Sequence, residues 1–152
     1  MKTRIISKTL LSLSLAFVLG SAITQVRGQG VVTIHSTGDV TRGETGSFVL
    51  SMNPAPIQWG GLPVNFSVSG TAIAGVDYVA LVSPVLVNPV PCPPPPYQCT
   101  TRPPGRGVIP VKTLPDPRSS LFPQAYSVVV TLEPGFGYAV GEPSSAQMMI
   151  KP

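Results

Sequence analysis

The sequence predicts an all-β domain, an immunoglobulin-like antiparallel β-sandwich of about seven strands. Three observations carry this expectation. Short runs alternate apolar and polar residues with period two, as strands with one buried face do. Clusters of Gly, Pro, Asn and Asp separate these runs. All 19 prolines follow Asn53, and an interior proline costs a helix about 3 kcal/mol, so long helices are excluded from that text.

The elements follow in order. Val31–His35 is β-rich and ends at Ser36-Thr37-Gly38-Asp39. Ser47–Asn53 alternates Phe48, Leu50 and Met52 against polar or smaller neighbours and stops at Asn53-Pro54-Ala55-Pro56. Leu62–Ser69 sets Val64, Phe66 and Val68 on one face. Tyr78–Val87 is apolar and broken by Ser83-Pro84. Gly107–Thr113 puts Ile109 and Val111 together. Ala125–Leu132 is the strongest strand, with Tyr126, Val128, Val130 and Leu132 facing one way. Ser145–Ile150 closes the series with Ala146, Met148 and Ile150 on one face.

The first 28 residues are compositionally separate. Lys2, Arg4 and Lys8 precede a charge-free apolar run from Leu10 to Ile23, and small residues follow. This is the layout of a secretory signal peptide over 1–28, cut after Gly28 or alternatively after Ala22. The run is shorter than the roughly 20 apolar residues of a spanning helix, so no membrane association is expected after cleavage. The domain then occupies 29–152. The formal net charge of the whole chain is +4. Lys2, Arg4, Lys8 and Arg27 all lie in the leader, and a cut after Gly28 leaves equal numbers of basic and acidic residues. A neutral chain with only 7% aromatic residues is not a nucleic-acid binder.

A proline-rich insertion spans 88–106, with an unbroken Pro93–Pro96 run that suits polyproline II and cannot be a central strand. The two cysteines, Cys92 and Cys99, flank this run, and in an oxidising compartment a disulfide between them would pin the loop. His35 is the only histidine, and no serine has a nucleophile-elbow context, so no catalytic residue is assigned. Asn65-Phe66-Ser67 is a glycosylation sequon in a host that has the machinery.

Two stretches carry a family resemblance. The text from Val64 to Tyr78 contains Ser69-Gly70-Thr71-Ala72 and Ala74-Gly75-Val76-Asp77-Tyr78, and Tyr126–Leu132 is followed by Gly135-Phe136-Gly137-Tyr138. Together they resemble the Calx-beta family of β-sandwich modules over about 31–150. The resemblance implies a calcium site at one end of the sandwich, with Asp77 and Asp116 as the carboxylates retained here. It also places Arg42 where an acidic ligand is usual, and Arg42 is expected to pair with Asp77 and do part of a cation's work. The expected function is a non-enzymatic secreted or cell-surface module for adhesion or protein interaction, with an unidentified extracellular partner and no obligatory cofactor. The alternative is a weak calcium-binding module using Asp77 and Asp116.

Overall fold

The computed structural model describes residues 29–57, 60–92, 103–115 and 124–152. These residues form ten strands: β1 (Gly30–Ser36), β2 (Val40–Thr41), β3 (Thr45–Asn53), β4 (Leu62–Val64), β5 (Phe66–Gly70), β6 (Val85–Val87), β7 (Gly105–Lys112), β8 (Tyr126–Leu132), β9 (Tyr138–Val140) and β10 (Ser145–Lys151). The all-β class is as expected. Two four-stranded sheets, in the orders β7-β3-β1-β9 and β2-β10-β8-β5, are joined by a two-stranded β4-β6 sheet.

The core lies between the two larger sheets. Val32 and Ile34 of β1 and Phe48 and Leu50 of β3 meet Val128 and Val130 of β8 and Met148 and Ile150 of β10, all fully buried. Each such side chain contributes about 1.5–3 kcal/mol by leaving water. The period-two reading predicts these positions because successive residues point to opposite faces. β7 obeys it without exception: Gly105, Gly107, Ile109 and Val111 face inward, and Arg106, Val108, Pro110 and Lys112 face outward.

Four details differ from the expectation. The described residues form ten strands rather than about seven. Leu62–Ser69 is not one strand but two, which pair in different sheets on either side of Asn65. The cause is that the Asn65 backbone is claimed by the β8–β9 connection. Its N–H donates to Tyr138 Oη (3.0 Å) and its C=O accepts from Glu133 N–H (2.9 Å). The short strands β2 and β9 add two more. Tyr78–Val87 contracts to Val85–Val87: Tyr78 makes only isolated bridges, and Ser83 Oγ accepts from Phe66 N–H at 3.0 Å. The pairing is also mixed rather than purely antiparallel, since β1–β9 and β2–β10 are parallel.

The connections collect at two poles. One holds the start of β1, the β3–β4 and β8–β9 connections, and the base of the 88–106 segment. At that base Asn88 and Arg106 exchange both backbone hydrogen bonds, at 2.9 and 2.8 Å. Val90, Pro103 and Pro104 lie with Val49 and His35 around one shallow hollow on the outer face of the β1–β3 sheet. This cover explains why Val49, on the outward phase of β3, is only 4% exposed. The opposite pole holds the turn between β2 and β3, the segment 71–78, the end of β7 and the end of β10.

Candidate functional site

Asp77 sits at the second pole, at the end of a turn built by glycine. Gly70 and Gly75 have φ of +119° and +80°, a region that L side chains rarely adopt. The turn is closed reciprocally: Asp77 N–H donates to Ile73 C=O (2.8 Å), and Asp77 Oδ2 accepts from Ile73 N–H (2.7 Å). Leu114 N–H donates to Asp77 C=O (2.9 Å), which ties the turn to the exit of β7.

Arg42 reaches the same carboxylate from the β2–β3 turn. Its Nη2 lies 3.0 Å from Asp77 Oδ1, and the two side chains are 8% and 0% exposed. The guanidinium carbon is 5.4 Å from the centroid of the Tyr126 ring, within cation–π range. The Arg42 backbone N–H donates to Lys151 C=O (3.0 Å). Thr113, itself buried, donates its hydroxyl and its N–H to Glu44 C=O, at 2.7 and 3.0 Å. Strands β2, β7, β8 and β10 and the 71–78 turn therefore converge on one ion pair. Next to it, burial pushes the Tyr78 phenol above its ordinary value, and the nearby Asp77 charge adds to the effect.

This arrangement places a guanidinium where the sequence expectation places a calcium ion. A hard cation of that kind takes six to eight oxygen ligands. Both Asp77 oxygens already accept from protein donors, Oδ1 from Arg42 and Oδ2 from Ile73 N–H, so a metal would compete with the guanidinium charge and the turn amide for them. Asp116, the second expected ligand, lies outside the described residues. So does Cys99, while Cys92 is described within the 88–106 segment. The leader 1–28, with both cleavage positions, also lies outside them. Asn65 is exposed at the crossing between sheets, and His35 is exposed on β1.

The first pole has the opposite character. Ile57, after Pro54-Ala55-Pro56, is 84% exposed, and Phe136, between Gly135 and Gly137, is 94% exposed. They flank one hollow of about 690 Å³ whose floor includes Met52, Leu62 and Pro63. Sequence reasoning missed this pair. The available signal was a large apolar residue set among turn-forming residues in each of two stretches, Ile57 after Pro54-Ala55-Pro56 and Phe136 between Gly135 and Gly137.

No family model matches the chain, and no curated protein matches it.

Proposed function

We propose that the chain is a non-enzymatic extracellular module of the Calx-beta kind that binds another extracellular protein through its apolar loop pole. The observation that carries this reading is the pair of side chains Ile57 and Phe136, held almost fully in water on two separate loops. Loops on a rigid sheet scaffold are where binding residues collect, and large exposed apolar side chains mark interaction surfaces. The opposite pole supports a structural role instead, because its carboxylate is already neutralised by Arg42. Export through the 1–28 leader and a Cys92–Cys99 bridge that stiffens the 88–106 segment belong to the same proposal. Alkylation before reduction would then label neither cysteine.

The test is site-specific photo-crosslinking of the secreted protein in its native extracellular fraction. A photoreactive residue replaces Phe136 in one variant and exposed Gln147 on β10 in another. One partner captured at position 136 and absent at position 147 is the expected result. The same proteins captured equally at both positions would overturn the assignment of the pole.

A further inference from the structure

We infer that the edge of β7 turned away from β3, between Arg106 and Lys112, is a docking site for an extended peptide with an apolar centre and a carboxylate at each end. This surface is separate from the loop pole and stands without it.

β7 is an outer strand of its sheet. Arg106 directs its backbone away from β3, since it exchanges both hydrogen bonds with Asn88 (2.8 and 2.9 Å). Lys112 does the same and accepts from Val79 N–H (2.9 Å). In an antiparallel ladder every second residue shares that direction, so the N–H and C=O of Val108 and the C=O of Pro110 also point outward. Between the two clamps these three groups have no hydrogen-bond partner among the described residues. The companion segment Val79–Asn88 is longer than the Arg106–Lys112 stretch it accompanies, and beyond its hydrogen bonds at the two ends it approaches β7 at Gly107, beside Leu86 and Val87. A groove of about 700 Å³ remains between them, walled by Val79, Leu81, Val82, Leu86 and Val108. Unpaired strand-edge groups are a template for strand addition, with affinity from the main chain and specificity from the side chains.

Charge selects the occupant. Among the described residues, the charged ones lining the groove are Arg106 and Lys112, one at each end, and both are exposed. Six residue steps of strand separate them, about 20 Å. A second copy of this chain pairing antiparallel through the same strand would set cation against cation, which opposes pairing. A peptide with carboxylates at that spacing meets opposite charge at both ends. Paired antiparallel, it exchanges two hydrogen bonds with Val108 and donates a third to Pro110 C=O. Pro110 has no N–H to offer, so the added strand is short.

The experiment titrates the isotope-labelled protein, as expressed, with two synthetic peptides. Both have an alternating valine–threonine centre, one flanked by glutamates and the other by lysines. Amide shifts confined to 79–88 and 106–112 are expected. The glutamate peptide should bind about tenfold more tightly, the combined effect of two exposed pairs of each sign. Val108→Pro removes the one outward N–H in the window without touching the β3 ladder, and should abolish binding. Arg106→Glu with Lys112→Glu changes two exposed side chains, keeps the fold, and should invert the preference. Equal affinity for the two peptides, absence of binding by either, shifts centred on Ile57 and Phe136, or self-association through β7 would each overturn the inference.

Discussion

The carboxylate of Asp77 has no solvent exposure and spends both oxygens on protein donors, one charged and one a backbone amide. Removing one partner of a buried ion pair leaves an uncompensated charge, at a cost of about 3–5 kcal/mol. Arg42→Ala and Asp77→Ala should both destabilise by that order in urea unfolding, and Asp77→Ala more, because it also orphans Ile73 N–H. The double variant should cost clearly less than the sum of the two. Single variants within about 1 kcal/mol of wild type, the range of an exposed pair, would mean the pair clamps nothing. With the guanidinium in place, millimolar calcium should leave the melting temperature of the wild type unchanged. A rise that disappears in Asp77→Asn would restore the metal reading. The meeting of Arg42 and Asp77 was anticipated only through the family resemblance, which sets Arg42 where an acidic ligand is usual and retains Asp77; opposite charge then makes them partners. The exposure of Phe136 was not, because periodicity describes strands and says nothing about which way the tip of a turn points.

At the level of elements, the two glycines of the 70–78 turn separate conformational strain from close approach. Both have positive φ, but a Cβ on Gly75 would meet open space, whereas a Cβ on Gly70 would run into the Ser127 carbonyl of β8. Gly75→Ala should cost about 1–2 kcal/mol, the strain of a left-handed alanine. Gly70→Ala adds a backbone collision between β5 and β8 and should cost at least about 2 kcal/mol more. Equal losses in a thermal or urea melt would remove the contact argument. The long strands were legible because their alternation runs over enough residues to be counted, as in β3, β7, β8 and β10. The split of β4 from β5 was not. Leu62, Val64, Phe66 and Val68 keep one phase straight through Asn65, and the change of sheet is imposed by Tyr138 and Glu133, far along the chain. Strands as short as β2 and β9 contain too few residues for any period to show.

For the molecule as a whole, the core sets stability and the Arg42 pole sets part of its dependence on pH. The folded state holds the Tyr78 proton more tightly than the unfolded chain does, whose tyrosines titrate near about 10. The folded protein therefore binds more protons in that range, and stability falls as pH rises. The Tyr78 contribution is complete below pH about 10 and is lost from there towards the higher folded value. Urea midpoints measured from neutral into alkaline solution should decline less steeply for Tyr78→Phe than for wild type. An identical decline would place the alkaline sensitivity elsewhere.

The parallel seam between β2 and β10 has a further consequence. β1 enters at one pole, β10 leaves at the other, and β2 runs beside β10 in the same direction. The seam is lengthened at one end by Asp39, whose side chain accepts from Met149 N–H and meets Lys151 Nζ at 2.8 Å, and at the other by Arg42 N–H on Lys151 C=O. The Lys151 contact, and then the Met149 N–H, hold the Asp39 carboxyl below its ordinary value. Tension applied between the two ends of the domain would run along these strands, not across them. The seam would be loaded in shear, its bonds bearing the force together, whereas a hairpin pulled from its open end parts one bond at a time.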